Sequence, residues 1–474
     1  MLLNHAPSAV SYTFDEDNLI ASVGLVPLLR LAKSAALMDL AQGRLSVPTD
    51  KGANAGAKVA SLVAGMASGA DSIDDMDLLR HGGMASLFAR VYAPSTLGSF
   101  LRKFTFGHVK QLDAIAARFL ANLGQGAALL EVTGDAGAES MIFVDIDDTV
   151  IEVYSAAKQG AGIGYQGSRG LNALLATAST ACSTPIIIGQ RLRKGATHSA
   201  RGAEKFLADA LATLARTPGG AGGQVVVRAD SAYYAAKVAK AARTVGADLS
   251  VVVPMNKAVK TAIATIDEEN WQGIKYPQAI FDEDSGQWIS EAEVAEVAFT
   301  AFSSRPKGEQ VTGRLIVRRV PEKNQAKVAA TGQDSLFTAY RHHAFFTTID
   351  PSVLDTVAAD KAHRQHAVIE QINAELKDGP LAHMPSSVFA ANGAWLVLAA
   401  ITHNLLRAAA VLSGGRLARA RAATVRRKII DIPARIAHRA RRLILHLPTE
   451  WKWAAEFERL WHSALSPPLA AASP

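Results

Sequence analysis

The sequence predicts a mixed α/β protein: a central layer of strands and helices that is preceded by an all-helical N-terminal region and interrupted by an inserted, mostly antiparallel β subdomain. Residues 1–135 contain short helical stretches separated by glycine and small polar residues. Residues 136–254 alternate between apolar strand patterns and helical patterns, which is typical of an α/β layer. In residues 255–350 that alternation stops, and Val, Phe, Thr and Ile predominate as they do in strands.

Five segments follow from these patterns. They are a helical N-terminal region (1–135), the first part of the central layer (136–254), the inserted β subdomain (255–350), the second part of the central layer (351–413) and a basic C-terminal region (414–474). The strands predicted in the central layer are Met141–Thr149, Arg169–Thr180, Thr184–Arg193, Gln224–Arg228 and Leu249–Val253, and its helices are Ser199–Arg216, Ser231–Val245, Asp360–Lys377 and Phe389–Leu412.

In the insert, the predicted strands are Trp288–Phe302, Gly313–Val320 and Ser335–Thr348. In the C-terminal region we predict strands at Lys428–Ile432 and Arg442–Leu447, the first limited to a sheet edge by Pro433. We also predict that Trp451, Trp453 and Trp461 cap a small terminal core.

The charge of the chain is uneven along its length. The formal net charge is +7, but residues 401–474 hold 13 Lys and Arg against 4 Asp and Glu. A basic end of this kind favours a polyanionic partner, because Lys and Arg that neutralise phosphates release bound counterions. A merely solvated basic tail is the alternative.

Cysteine usage and hydropathy predict a cytoplasmic protein with no membrane contact. The single cysteine, Cys182, has no partner for a disulfide within the chain. The longest apolar stretch is interrupted by His403, Asn404 and Arg407, which indicates a buried helix rather than a membrane span. The first residues lack the basic and apolar pattern of a secretory signal.

The segment MIFVDIDDT, residues 141–149, ends an apolar strand in three carboxylates. Strand alternation places Asp145 and Asp147 on one face and Asp148 on the other. Carboxylates at the end of a buried strand repel each other and lose hydration, and a divalent cation offsets that cost. Asp147 is the preferred ligand, and Asp145 is its rival or a supporting residue.

Two further acids stand at positions that suit the same site. Asp230 follows the strand QVVVR, and Glu370 lies on the predicted helix Asp360–Lys377. That helix places His363, His366, Glu370 and Lys377 near one stripe. The two histidines also have a spacing compatible with zinc, but no cysteine or further histidine accompanies them at suitable spacing.

The sequence resembles the DDE transposases of bacterial insertion sequences, and most closely the IS thirteen-eighty group. The motifs that carry the resemblance are VDIDDTVIEVY (144–154), VVRADSAYY (226–234), HRQHAVIEQINAELKDGPLAHMPS (363–386) and ANGAWLVLAAITHNLLRAA (391–409). The resemblance implies a ribonuclease H-like core in which Asp147, Asp230 and Glu370 are the catalytic and metal-binding acids. Supporting roles would fall to Asp145, Thr149, His363, His366 and Lys377. The sequence departs from the family's Tyr-x2-Arg-x3-Glu-x6-Lys signature, since His363 replaces the Tyr and His366 the Arg.

The implied activity is binding of the terminal inverted repeats of a mobile element, followed by DNA cleavage and strand transfer with Mg²⁺, for which Mn²⁺ can substitute. The implied partners are double-stranded DNA, both element ends and target, and a second copy of the chain in a synaptic homodimer. The residues predicted to contact DNA are Arg102, Lys103, Arg364, Lys377, Arg426, Arg427, Lys428, Arg441 and Arg442. Two alternatives are a catalytically silent DNA-binding protein derived from a transposase and a nuclease of the same fold without strand transfer.

Overall fold

The computed structural model of the protein describes residues 4–164, 167–274, 281–282, 287–288, 292–321, 340–440 and 442–465. The helices are α1 (Leu25–Ser34), α2 (Leu37–Arg44), α3 (Thr49–Gly52), α4 (Ala55–Ala67), α5 (Pro94–Arg102), α6 (Phe106–Gly126), α7 (Ala203–Arg216), α8 (Ala236–Thr244), α9 (Lys257–Ile263), α10 (Thr356–Arg364), α11 (Val368–Lys377), α12 (Phe389–Ser413), α13 (Ala422–Val425) and α14 (Ala454–Leu465).

The strands are β1 (Leu19–Ile20), β2 (Met141–Glu152), β3 (Gly162–Ile163), β4 (Arg169–Ser179), β5 (Ile186–Lys194), β6 (Gln224–Ala229), β7 (Asp248–Val252), β8 (Gln272–Ile274), β9 (Phe281–Asp282), β10 (Gln287–Trp288), β11 (Ala292–Ala301), β12 (Val311–Pro321), β13 (Tyr340–Thr347), β14 (Ala434–Arg439) and β15 (Arg442–His446).

A ten-stranded mixed sheet organises the molecule, which confirms the prediction of a mixed α/β fold. Its order is β3-β4-β2-β6-β7-β13-β12-β11-β8. Strand β5 pairs with residues 171–178 of β4, along the edge that also pairs with β3. The strands β2, β4 and β5 pair antiparallel, whereas β6 runs parallel to β2 and β7 parallel to β6. The first residues of β2 are buried on both faces, as expected for a strand covered on both sides.

Four described strands of the insert join the central sheet, whereas β9 and β10 pair with each other as a separate two-stranded sheet. Strand β13 pairs antiparallel with β7 through Phe345, Phe346 and Thr347, and β12, β11 and β8 follow in antiparallel order. They therefore extend the central sheet. The physical reason is that β7 would otherwise expose a row of unpaired backbone groups next to the buried core.

The N-terminal helices and the central layer share one hydrophobic core. Helix α12 crosses this core, and 89% of its most apolar window is buried inside the protein, as expected for a core helix that only resembles a membrane span in length and composition. Its polar residues are buried and bonded: Asn404 accepts from the Ile187 N–H and donates to the Ile187 carbonyl, which closes the outer edge of β5. Arg407 donates to two backbone carbonyls, those of Ala418 and Ala420. The prediction of a buried helix is thus confirmed.

A second, smaller cluster covers the opposite face of the sheet. It contains Met141 and Phe143 of β2, Val226 of β6 and residues of α10 such as Ala362. Residues 142, 144 and 146 of β2 belong instead to the main core. The alternation predicted for this strand is therefore present, and Asp145 and Asp147 continue the face that α10 and α11 cover.

The C-terminal region differs from the prediction in two places. Residues Arg426–Ile430 form a wide helical turn rather than a strand, since Ile429 and Ile430 are both buried and consecutive residues of a strand would point to opposite faces. Strands β14 and β15 form a hairpin to which β1 of the N-terminal region adds a third strand. The three tryptophans at positions 451, 453 and 461 pack on the main core and not on a separate one.

Candidate active site

One open cleft brings together the three acids that the sequence singled out. Asp147 stands near the middle of β2, Asp230 directly follows β6, and Glu370 lies in the first turn of α11. Thr149 and Lys377 line the same cleft. Because β2 and β6 are adjacent and parallel, and their pairing ends at residues 146 and 229, the two aspartates emerge side by side.

The electrostatics of the cleft oppose ionisation of both aspartates. Burial, together with the charges of Asp230 and Asp148, raises the pKa of Asp147 from 3.8 to about 6, against an opposing effect of His366. Burial also raises the pKa of Asp230, and the charge of Asp148 adds to it. Carboxylates with raised pKa values in a cleft are typical of functional sites, because a fold does not gain stability from them.

Asp145, the rival for the role of first acid, is fully buried and committed to other partners. Arg228 donates to both of its carboxylate oxygens at 2.7 Å, and His366 Nδ1 lies 2.8 Å from Oδ1. Burial tends to raise the pKa of Asp145, but the charge of Arg228 and the hydrogen bond of His366 lower it below its usual value. The Arg228 guanidinium also lies 4.2 Å above the Phe143 ring. Asp145 is thus part of a buried ion pair beneath the cleft.

Asp148 also lines the cleft, and its carboxylate is held by two hydrogen-bond donors and one ion pair. Tyr233 Oη donates to it at 2.5 Å, Arg193 lies at 3.1 Å, and Asn172 Nδ2 donates to the same oxygen as Arg193. Tyr233 belongs to the turn that follows Asp230, so this contact ties the two acid-bearing segments together. Arg193 is thus the arginine that pairs with Asp148.

The predicted helix Asp360–Lys377 is broken, and the prediction that His363 shares a stripe with Glu370 is wrong. A 3-10 turn at Gln365–Ala367 separates α10 from α11. At the break, Arg228 donates to the Ala362 carbonyl, an oxygen that an unbroken helix would use internally. His363 is buried against the sheet, whereas Glu370 lines the cleft.

Both histidines anchor the helices to the sheet. His363 is buried, its ring stacks on Phe345 at 4.0 Å, and its Nδ1 lies 2.8 Å from Ser250 Oγ. Burial lowers the pKa of His363 to about 3, so the ring is neutral at physiological pH. His366 contacts Asp145 as described. The two rings bond to different strands and do not converge on a common point.

Asn373 is a site residue that the sequence reasoning missed. It lies one turn after Glu370 on α11, and its Nδ2 donates to Asp147 Oδ2 at 2.9 Å. The carboxylate fixes the orientation of the amide, and the buried Oδ1 has no hydrogen-bond partner among the described residues. An orphaned buried acceptor costs about 1 to 3 kcal/mol. The i, i+3, i+7 spacing of Glu370, Asn373 and Lys377 is the signal that identifies it.

Two members of the predicted C-terminal DNA-binding patch are engaged inside the protein. Arg426 Nε donates to the Ala67 carbonyl at 3.2 Å, and Lys428 Nζ lies 4.6 Å from the centre of the Trp453 ring. These two residues join the C-terminal region to the core. Of the three residues predicted to bind DNA here, Arg427 has an exposed side chain, and those of Arg426 and Lys428 are half-buried.

The other predicted DNA contacts are scattered over the surface. Three of them bond to nearby side chains: Arg102 to Ser99 at 3.1 Å, Lys103 to Asp50 at 3.1 Å and Arg364 to Asp360 at 2.9 Å. Lys377 is exposed in the acidic cleft, and Arg442 is exposed on the β14–β15 hairpin. Arg441 lies outside the described residues.

The donor set of the cleft fits a hard divalent cation in its chemistry. Carboxylate oxygens are the ligands that such cations prefer, and a cation would relieve the repulsion that raises the pKa values of Asp147 and Asp230. Within the described ranges, no group of three His, Cys, Asp or Glu side chains is already arranged to hold a metal ion. Glu370 thus shares the cleft with the two aspartates without completing a preformed three-ligand cage.

These features define an α/β protein with a carboxylate-lined cleft at the point where the pairing of two adjacent parallel strands ends. The family model described as Transposase DDE domain group 1 matches residues 5–466, nearly the whole chain, and the protein therefore belongs to the DDE transposase family. Membership implies a nucleic-acid-cleaving enzyme that binds DNA, in a family that typically uses divalent metals. None of the curated proteins compared matches the sequence.

Proposed function

We propose that the protein is a transposase of the IS thirteen-eighty group that binds the terminal inverted repeats of its element, cuts the DNA and transfers the freed 3′ ends to target DNA. One observation carries the proposal: three acids from three separate elements, Asp147, Asp230 and Glu370, line a single open cleft. A cleft open to solvent and rimmed by Lys377 suits a polymeric anion better than a small enclosed metabolite.

The strand order supports a ribonuclease H-like core. Strands β5, β4, β2, β6 and β7 are neighbours in that order. Strand β4 is antiparallel to both β5 and β2, whereas β6 runs parallel to β2 and β7 runs parallel to β6. Such an arrangement brings the middle of β2 and the end of β6 to the same place. Helix α11 then covers this edge with Glu370 in its first turn.

The proposed chemistry divides the work among residues of the cleft. When bound, Mg²⁺ or Mn²⁺ would activate the attacking oxygen and stabilise the leaving oxygen at the scissile phosphate, held by Asp147, Asp230 and Glu370. Asn373 holds the Asp147 carboxylate in one orientation through its amide N–H. The ammonium group of Lys377 contacts a DNA phosphate, since it is exposed in the same cleft.

Strand transfer reuses the site, with the freed 3′ hydroxyl in place of water. No covalent intermediate with the protein is required. Cutting two ends together calls for two active sites, and we therefore propose a homodimer in the synaptic complex. We place the reaction in the cytoplasm, where the element's DNA is accessible.

The test uses purified protein and a plasmid carrying the DNA that flanks its gene. With Mn²⁺, wild type is expected to nick the plasmid near the element ends and to yield joined products. Asp230→Asn is expected to bind the same DNA and leave it uncut. Glu204→Gln, an exposed acid on α7, is the matched control and is expected to cut as wild type does.

Binding by wild type without nicking would contradict the proposal and favour the silent DNA-binding protein. Nicking without joined product would favour a nuclease of the same fold. Cutting by Asp230→Asn at the wild-type rate would remove the proposed acids from the reaction.

A further inference from the structure

The hairpin of β14 and β15 has a charge pattern that the active site does not use. From Ala434 to His446 the sequence contains four arginines, two histidines and no acid. The hairpin is joined to the rest of the fold along β14, which pairs with β1, so β15 is an edge strand. A two-stranded ribbon with one free edge and only basic charges is therefore displayed on the surface.

The hairpin has a mainly apolar face and a mainly basic face. The strand register places Ile436, His438, Leu443 and Leu445 on the apolar face, and Arg435, Ala437, Arg439, Arg442 and Ile444 on the basic face. Ile436 is opposite Leu445 on one face, and Ile436 is buried at 3% exposure. On the other face Arg439 is directly opposite Arg442, and both side chains are exposed. Alternation thus turns the arginines outward while the aliphatic residues fix the base of the ribbon.

The tip of the ribbon extends past the core against which its base packs. Leu443 lies on the apolar face, two residues from the partly buried Leu445, yet it is 44% exposed. The backbone of Ala440, next to the tip, has a positive φ of 44°, as a tight hairpin turn requires. The far end of the hairpin is therefore surrounded by solvent on both faces.

The charges at the tip are not neutralised within the protein. Like charges directly opposite each other in a sheet are destabilising, and Arg439 and Arg442 form such a pair. Over the part of the chain that the structure describes, neither guanidinium makes a hydrogen bond or ion pair. At the base the situation differs: hydrogen bonds from Asn18 lower the pKa of the Glu16 carboxyl, and the charge of nearby Arg435 lowers it further. The unbalanced charge is confined to the tip.

We propose that the β14–β15 hairpin is a DNA-binding ribbon that inserts its arginine tip into a groove of the duplex bound by the enzyme. A two-stranded ribbon fits the major groove of B-DNA, which is about 12 Å wide. Phosphates on both sides of the groove would relieve the repulsion between Arg439 and Arg442. The inference deepens the proposed function, on which it rests, by assigning a second DNA contact outside the acidic cleft.

An alternative occupant of this surface is a second copy of the chain, paired along the free edge of β15. Arg442 at the start of this strand is exposed, and its charge disfavours strand pairing between like copies. Duplex DNA is favoured because it offers the opposite charge. The experiment distinguishes the two.

The experiment compares Arg439→Gln/Arg442→Gln with the charge-matched control Arg30→Gln/Arg118→Gln, whose arginines are exposed on α1 and α6. The probe is a labelled duplex from the DNA flanking the gene, and its dissociation constant is measured from about 50 to 200 mM NaCl. Loss of two phosphate contacts is expected to reduce the slope of log Kd against the logarithm of the NaCl concentration by about 1.8. It is also expected to weaken binding roughly tenfold or more at about 0.1 M salt. The control is expected to retain the wild-type slope.

An unchanged slope and affinity in the hairpin variant would overturn the inference. So would a variant whose only change is a loss of dimer in sedimentation, because the ribbon would then join two copies. Unfolding temperatures of all variants show whether the exposed substitutions leave the fold intact. Plasmid cutting by wild type is scored separately: its absence contradicts the proposed transposase, whereas the salt slope alone decides the role of the hairpin.

Discussion

Neutralising Asp147 should stabilise the protein while it removes the proposed activity. The substitution Asp147→Asn preserves the size of the side chain and its contact with Asn373, because an amide oxygen can also accept from Asn373 Nδ2. It removes the negative charge that burial and the neighbouring carboxylates Asp148 and Asp230 disfavour. The expected gain therefore comes from relief of repulsion and desolvation.

The magnitude follows from the pKa. Raising the pKa of Asp147 from 3.8 to about 6 costs the folded state about 3 kcal/mol once the carboxylate is fully ionised. Partial contact of the side chain with water reduces the expected gain to roughly 1 to 3 kcal/mol. Between pH 3.8 and 6 the folded protein holds a proton that the unfolded chain has lost, so this contribution to stability falls as pH rises. The gain from Asp147→Asn should vanish below pH 3.8 and be complete above pH 6.

The assay is denaturant unfolding of wild type and variants across this pH range, without divalent metal. Asp148→Asn is the matched control, since the adjacent carboxylate accepts from Tyr233 and Asn172 and forms an ion pair with Arg193. Breaking that network should lower the free energy of unfolding by about 1 to 3 kcal/mol. If Asp147→Asn is destabilising, or its effect does not depend on pH, the strain assigned to the cleft is refuted.

Three further predictions concern the helices that cover the sheet. Asn373→Leu should reduce the rate of DNA cutting by about 10- to 100-fold, because it removes the hydrogen bond that orients Asp147. DNA binding and the free energy of unfolding should not fall, since the substitution also removes a buried acceptor without a partner. Cleavage kinetics and calorimetry measure these effects. Glu370→Gln should abolish cutting with a change in unfolding free energy within about 0.5 kcal/mol, since the side chain is exposed, and retained cutting would contradict its role. His363 stays neutral in the folded state down to a pKa of about 3, whereas the unfolded chain takes up its proton near 6.5. The stability of wild type relative to His363→Gln should therefore fall by about 1.4 kcal/mol for each pH unit below 6.5, and equal slopes in the two unfolding series would show that the ring is not buried neutral.

His363 and His366 both contact polar residues of the sheet beneath the cleft. In this chain the His366 ring reaches the buried carboxylate of Asp145, and His363 reaches Ser250 on β7. Both contacts hold the segment between α10 and α11 on the sheet. The polar residues of the strands therefore determine which side chains can anchor the helices at these two positions.

Local patterns in the sequence were sufficient for the strands of the central layer. The apolar runs that became β2, β4, β5, β6 and β7 were predicted, and their bounds differ by a few residues at most. Period-two alternation correctly put Asp145 and Asp147 on one face of β2. This information is local, because the alternation of a strand depends only on its own backbone geometry.

Only the tertiary structure decided which acids remain available and which elements join. Asp145 and Asp147 are equivalent in pattern, but Arg228 arrives from the neighbouring strand and neutralises the first of them. The break before α11 likewise depends on the Arg228 guanidinium, which donates a hydrogen bond to the Ala362 carbonyl. The insert strands join the main sheet because the edge of β7 is open to them. Each of these outcomes depends on contacts between residues far apart in the chain, and such contacts have no signature in the local order of residues.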